Sequence, residues 1–299
     1  MVEQLNTQAF FPYLKNKLRI ELLKSKYSFE NPLWNSIWAS HINFLWFETK
    51  NWGDALNPMM IELISGVKAR GIDINLKQES DWKPNLKGKS LYLVIGSTLH
   101  HADSNTIVWG SGFTSQGNIF VEKPKEICAV RGLLSAKLVR KLGVNCPDVY
   151  GDPALLLPRF YQPKVTSKYK LGIIPHFLDW HDPKLKKFYN QPDVLLINIK
   201  DSLKKVVRNI CSCEKIVSSS LHGLIASDAY GIPSGWIRLS DKIPGKNFKF
   251  QDYFSSLGLS EQQVYTIQSD TTISQLYNLC QNRSVNIDLD RLMEVCPFR

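Results

Sequence analysis

The chain has 299 residues, 43% of them hydrophobic and 21% charged, a balance that excludes a disordered, fibrous or membrane-spanning chain and describes a soluble globular protein. Its 37 Lys and Arg against 27 Asp and Glu give a net charge of +10, which favours anionic partners. The basic residues are scattered and no nucleic-acid-binding motif accompanies them, so nucleic acid is not an expected partner.

At this length one hydrophobic core is usually exceeded, so two domains are expected. Ala9 to Lys26 mixes Phe10, Phe11, Leu14, Leu18, Ile20 and Leu22 with lysines and reads as a leading helical region. It packs on the first domain or touches a membrane surface. His41 to Phe47 reads as a strand and Asn51 to Pro58 as a loop. Pro58 then suits the first turn of a helix running to about Arg70. Ser90 to Ile95 is a buried parallel strand ending at Gly96-Ser97. Ile107 to Trp109 is a short strand ending in Gly110-Ser-Gly112, and Glu126 to Val130 is another. A helix follows over Arg131 to Leu142, with Gly143 as its stop. This rhythm of strand, loop and helix predicts an α/β domain.

Leu157 to Lys168 holds two prolines and no period, and residues 161–167 are taken as a linker between domains at 1–160 and 168–299. The second α/β unit starts at Lys170 to His176 and continues through a strand over Asp193 to Ile199 and a helix over Ser202 to Cys211. The run Lys215 to Val217 then meets three serines, and a helix begins near Leu221. Leu221, Leu224, Ile225 and Ala229 share one face of it, and Gly231 and Pro233 stop it. A strand over Ser234 to Leu239 leads into a basic, aromatic segment, Asp241 to Tyr253. Helices near Asp252 to Leu257 and Thr272 to Cys280 finish the chain.

Ligands of open α/β sheets sit at the carboxyl ends of the strands. That rule selects the loops Asn51 to Asp54, Gly96 to His101, Gly110 to Gly112, Pro175 to Asp179 and Ser218 to Gly223. In the last of these, Ser220, Leu221 and Gly223 surround His222 in the first turn of a helix. Free backbone N–H groups and the helix dipole make that turn an anion site, and the imidazole can carry a proton. Asn51, Gly53 and Asp54 offer hydrogen bonds to hydroxyls, or simply cap a helix. Arg131 enters a helix directly after a strand, where it pairs with a ligand carboxylate or phosphate, or with a structural acid. Asp152 reads as a turn residue or as that partner of Arg131. His176 ends a strand as an acceptor ligand or a scaffold histidine. Lys242, Lys246 and Lys249 stand in a loop able to close over an anion. His100-His101 has no further ligand at metal spacing on its element, so no metal is expected. Six unevenly spaced cysteines, with Cys211-Ser-Cys213 as the only close pair, read as reduced thiols.

Taken together, the motifs resemble the polysaccharide pyruvyl transferase family. The matching pieces are Asn51-Trp-Gly-Asp54, Trp109-Gly-Ser-Gly112, Val130-Arg-Gly-Leu-Leu-Ser135 with Leu142-Gly143, Gly151-Asp-Pro153, Ile173-Ile-Pro-His176, Ser219-Ser-Leu-His-Gly223 through Gly231-Ile-Pro233, and Phe248-Lys-Phe-Gln-Asp-Tyr253. They occur in the family's order over about residues 45 to 255. The resemblance implies two Rossmann-like domains facing across a cleft, similar to the GT-B glycosyltransferases. It also implies transfer of pyruvate from phosphoenolpyruvate to two hydroxyls of one sugar, forming a ketal in exopolysaccharide or cell-surface polysaccharide biosynthesis. Phosphoenolpyruvate is then a co-substrate, and no cofactor is needed.

By the same resemblance, Arg131, His222 and a lysine after Gly231-Ile-Pro233 are associated with the donor. Lys242 fits that lysine by ungapped spacing, and Lys246 and Lys249 fit if the loop varies. Many members carry Arg before Leu-His-Gly where this chain has Ser220, so another cation must serve here. His222 is the expected general acid, and His176, Asp54 or Asp179 the residues that position or deprotonate the acceptor. A lipid-linked oligosaccharide is the expected acceptor. No signal-peptide pattern and no apolar run of roughly 20 residues is seen, which places the protein in the cytoplasm, at the inner face of the membrane if it meets one. A GT-B glycosyltransferase using a nucleotide sugar, and a non-catalytic glycan- or nucleotide-binding protein of the same fold, are the alternatives.

Overall fold

The computed structural model describes residues 41–75 and 89–299; the leading segment Ala9 to Lys26 lies outside them. Two five-stranded sheets, all of their pairings parallel, form the frame. The first has the order β2-β1-β3-β4-β5, with β1 at Ile42–Trp46, β2 at Ala69–Asp73, β3 at Leu91–Leu93, β4 at Thr106–Trp109 and β5 at Glu126–Ala129. Helix α1, Trp52–Ser65, crosses from β1 to β2, and α2, Leu133–Lys141, follows β5.

The second sheet has the order β10-β9-β8-β6-β7. Its strands are β6 at Tyr169–Ile174, β7 at Val194–Leu196, β8 at Cys213–Ser218, β9 at Ser234–Arg238 and β10 at Tyr265–Thr266. Helices α3 (Leu203–Cys211), α4 (Leu221–Ala229), α5 (Phe248–Ser256), α6 (Ile273–Leu279) and α7 (Leu289–Glu294) complete the described chain. Parallel strands need crossover connections, and α-helices supply those from β1 to β2, β7 to β8, β8 to β9 and β9 to β10, an arrangement consistent with two Rossmann-like α/β sheets.

Alternate strand residues serve different cores, as the two-residue period requires. Phe44, Ile174 and Ile216 belong to a central cluster shared by both sheets. Leu45 faces a second cluster behind the first sheet, while Ile173 and Val217 face a third behind the second sheet. The central cluster joins Trp52, Leu56 and Trp109 to Leu224, Ile225 and Phe254, so the two halves share a continuous apolar interior. Hydrogen bonds reinforce it: Trp52 Nε1 donates to Leu203 O at 3.2 Å and Trp109 Nε1 to Leu292 O at 2.8 Å.

Four expectations are corrected. Asn51 to Pro58 is not a loop, because α1 begins at Trp52 and Pro58 lies inside it. Proline removes the N–H that would have bonded Asp54 O. The Asn57 side chain fills the gap, its Nδ2 donating to Asp54 O at 3.0 Å. The same helix stops at Ser65, with Gly66 left-handed at φ 69°, and Arg70 belongs to β2 instead. Helix α4 does not bury a single face: Leu221 through Asp228 are all buried, as expected of a helix enclosed on every side. The irregular stretch from Leu157 begins inside the core, since Pro153–Arg159 is a 3-10 helix with Leu155, Leu156 and Leu157 buried. Residues 164–168 then run exposed to β6.

Candidate active site

Each sheet has one point where the strand order reverses, between β1 and β3 in the first and between β6 and β8 in the second. Carboxyl ends of strands at such a switch point form the natural ligand crevice of an open α/β sheet. Asn51 to Asp54 and Gly96 stand at the first; His176 and Ser218 to His222 stand at the second.

The two switch points touch. A Cβ placed on Gly53 would lie 2.0 Å from His222 Nδ1 and 2.3 Å from both Cγ and Cε1. Near-equal distances to a ring atom and its two neighbours put that point over the face of the imidazole. Gly53 is therefore glycine because the His222 ring lies flat on its backbone. The Trp52 ring stands 6.4 Å from the imidazole, centroid to centroid.

The serines build the turn that delivers His222. Ser218 Oγ accepts from the Ser220 amide at 3.0 Å and lies 3.0 Å from Ile174 O. Ser219 Oγ accepts from the His176 amide at 2.8 Å, which ties the end of β8 to the end of β6. Gly223 leaves room for Ser218, whose Oγ would sit 2.3 Å from a Cβ there. Ser220 caps α4 with no side-chain hydrogen bond. His222 is 6% exposed, and its Nε2 is buried without a hydrogen-bond partner among the described residues. Facing it is Asp152, whose Oδ2 lies 3.4 Å away. The expectation that Asp152 pairs with Arg131 is thus corrected.

The partner of Arg131 is Asp252 in α5. Arg131 Nε donates to Asp252 Oδ2 at 2.9 Å, Nη1 to Ser97 Oγ at 2.7 Å, and Nη2 to Phe113 O at 2.8 Å. Both members of the pair are wholly buried. Asp252 also accepts from the amide and hydroxyl of Ser135, each at 2.7 Å. Two glycines make room: a Cβ on Gly112 would meet the guanidinium at 2.5 Å, and one on Gly132 would meet Asp252 O at 1.8 Å. The Gly-Ser-Gly and Val-Arg-Gly motifs are in this sense one structure, a seat for the Arg131–Asp252 bridge.

Asp252 brings α5 to the site, and with it Lys249. Burial and the neighbouring Arg131 guanidinium lower the Lys249 ammonium to about 8, against the opposing pull of Asp54. Asp54 moves the other way. Burial raises its carboxyl, while Asn51, His222, Thr49 and Lys249 restrain the shift. Its Oδ2 accepts from Asn51 Nδ2 at 2.9 Å and Thr49 Oγ1 at 3.0 Å. His176 is lowered to about 3 by burial, then by Lys249 and Lys200, so it is neutral at physiological pH. Its Nδ1 accepts from the Leu178 amide at 3.3 Å, which leaves the proton on Nε2 as a hydrogen-bond donor.

Lys249, Asp54, His176, His222 and Arg131 are therefore one electrostatic community. Asp179 stands apart from it: its Oδ1 accepts from Ser240 Oγ at 2.5 Å, and its charged neighbours are Asp182, Lys242 and Lys184. Lys242 and Lys246 are exposed. Lys246 lines a cavity of about 630 Å³ with Trp236, Arg238 and Asn247, at the end of β9. Among the described residues no group of three His, Cys, Asp or Glu side chains is arranged to hold a metal ion. All six cysteines are free, and burial pushes the Cys213 and Cys280 thiols up to about 12, which keeps them protonated. No helix of the described residues is long and apolar enough to cross a membrane.

A buried imidazole, an ammonium of lowered pKa and a carboxyl of raised pKa, gathered at two switch points, are chemically able to bind an anion and move a proton. The chain belongs to the polysaccharide pyruvyl transferase family, whose model matches residues 6–241. It is 30% identical over 219 residues to an uncharacterized protein of Acanthamoeba polyphaga mimivirus, a match covering 71% of this chain and 73% of that one. It is also 30% identical over 184 residues to the succinoglycan biosynthesis protein ExoV of Rhizobium meliloti. That match covers 58% of this chain and 55% of the length of ExoV.

Proposed function

We propose that this protein transfers pyruvate from phosphoenolpyruvate to two hydroxyls of one sugar, closing a ketal during exopolysaccharide or cell-surface polysaccharide biosynthesis. Family membership and the likeness to a succinoglycan biosynthesis protein support the pathway class. The observation that carries the chemistry is the convergence of His222 with Asp54 and Lys249. A cleft of GT-B type between the two sheets, around that convergence, is part of the same reading.

Phosphoenolpyruvate brings a phosphate and a carboxylate. Lys249 supplies the charge that Ser220 cannot, and the first-turn amides of α4 at Leu221 and His222 face the same anion, that of Gly223 being engaged by Ser220 O. Arg131, engaged by Asp252 and Ser97, holds α5 and its lysine in place. Protonated His222 gives its proton to the methylene carbon of the donor, which makes C2 electrophilic. A sugar hydroxyl adds to C2 and loses its proton. The second hydroxyl then closes the ketal as the C2–O bond breaks and phosphate leaves with the electron pair.

Neutral His176 positions the acceptor through its Nε2–H, and its low pKa makes it a poor base. Asp54, with its raised carboxyl, is the better match for taking the hydroxyl proton. Asp179 lies on the Ser240 side, apart from the group around His222. A lipid-linked oligosaccharide reached at the cytoplasmic membrane face is the proposed acceptor.

The test is incubation with phosphoenolpyruvate and a panel of lipid-linked and free glycans, following inorganic phosphate and product mass. One phosphate per added pyruvate, less one water, supports the reading. Release of nucleotide from a nucleotide sugar, with phosphoenolpyruvate untouched, replaces it with glycosyl transfer.

A further inference from the structure

We propose that Asp152 is the positioning residue for His222, fixing the ring so that Nδ1 is the nitrogen that exchanges a proton with substrate. The geometry is independent of the reaction; the chemical consequence rests on the pyruvyl-transfer reading.

Asp152 is the middle residue of the Gly151-Asp-Pro153 motif, and its side chain is fully buried. Its Oδ1 accepts from the Ala154 amide at 3.0 Å and caps the Pro153–Arg159 helix. Among the described residues its Oδ2 has no hydrogen-bond partner, and neither has His222 Nε2. These two buried, unpartnered atoms face each other at 3.4 Å. Buried polar atoms are seldom left unpaired, and a shift of a few tenths of an ångström makes this pair a hydrogen bond. A carboxylate only accepts, so Nε2 must be the protonated nitrogen. Nδ1 of the neutral ring then carries the lone pair. Gly53 pressed on the ring face keeps the imidazole from swinging away from Asp152.

The consequence for transfer balances simply. Imidazolium Nδ1–H gives its proton to the donor methylene, while Nε2–H stays on Asp152. Of the two hydroxyl protons released as the C–O bonds form, one passes by way of Asp54 back to Nδ1 and restores the imidazolium, and the other leaves with phosphate. An acid that orients a catalytic histidine without itself titrating typically contributes two to four orders of magnitude in turnover.

Ring-¹⁵N histidine labelling, with His222→Ala to assign the signal, reads the tautomer in the unaltered protein without substrate. The expected spectrum shows neutral His222 as Nε2–H. Asp152→Asn keeps the cap through Oδ1 but points Nδ2, a donor, at the ring. It should move the proton to Nδ1 and lower kcat by roughly 10²- to 10⁴-fold, with donor KM within about threefold. Asp152→Ser keeps only the cap and should give the averaged tautomers of a free histidine. A Nδ1–H ring or tautomer averaging in the unaltered protein overturns the proposal, and this measurement needs no variant of Asp152. An unchanged spectrum or near-normal kcat in Asp152→Asn overturns it as well. The expected tautomer in a protein that never consumes phosphoenolpyruvate supports the Asp152–His222 assignment and removes only the pyruvyl chemistry.

Discussion

Gly53→Ala sets two effects of opposite sign against each other. Gly53 lies in the first turn of α1, and no left-handed backbone requires a glycine there. Alanine favours a helix over glycine by up to about 1 kcal/mol, less near a terminus. The new methyl, however, would sit 2.0 Å from His222 Nδ1, where ordinary contact begins near 3.4 Å. The ring or the helix must therefore give way by more than an ångström. Overpacking of this kind costs about 1–3 kcal/mol, so the net change is a loss of about 1–2 kcal/mol. In a chain of this size that is a fall of a few degrees in Tm, on the order of 2–6 °C. Activity suffers more, because displacing a catalytic group by about 1 Å can cost roughly 100-fold in kcat.

The diagnostic arm is the double variant. With His222→Ala already in place the clash is gone, and Gly53→Ala should then be neutral or raise Tm slightly. The thermodynamic cycle should return a coupling of about 1–3 kcal/mol. A single variant with unaltered Tm and kcat, or the same destabilisation in both backgrounds, would refute the packing of His222 on Gly53.

The Lys249 ammonium, lowered to about 8, gives a pH dependence of definite sign. Below that pH the ammonium is charged and holds the anionic donor; above it, donor KM should rise about tenfold per pH unit. Lys249→Met should raise KM near neutrality and abolish the alkaline rise, and a rise that persists in the variant would assign it to another group. Arg131→Met leaves Asp252 charged and buried, and breaking such a pair costs about 3–5 kcal/mol. Thermal unfolding should show a loss on the order of 10 °C. An unchanged Tm with a raised donor KM would place the guanidinium on the donor instead of on Asp252.

Much of this site was legible in the sequence, because strand ends announce themselves. Apolar, strand-like runs located the loops that follow them, Asn51 to Asp54, Gly96 and Ser218 to His222, and the structure brings these loops together. What could not be read was pairing at long separation. Asp152 and His222 are 70 residues apart, and only the buried 3-10 helix after Asp152 carries it to α4. Arg131 and Asp252 are likewise joined by packing of α2 on α5, for which the glycines at 112 and 132 were the only signals. Ungapped counting favoured Lys242, whereas α5 begins at Phe248 and sets Lys249 beside Asp54. Pro58 misled in the ordinary way, since a proline marks a helix start unless a neighbour such as Asn57 satisfies the orphaned carbonyl.

The central claim is that His222 protonates the methylene carbon of phosphoenolpyruvate as pyruvate passes to the sugar. It is tested most directly by running the reaction in deuterium oxide and reading the methyl group of the product by mass spectrometry and NMR. One solvent-derived deuteron is expected in the methyl of every ketal formed, with loss of both ketal and labelled pyruvyl product in His222→Ala. Ketal formed at a normal rate by His222→Ala, or a product that carries no solvent-derived deuteron in its methyl group, would contradict it.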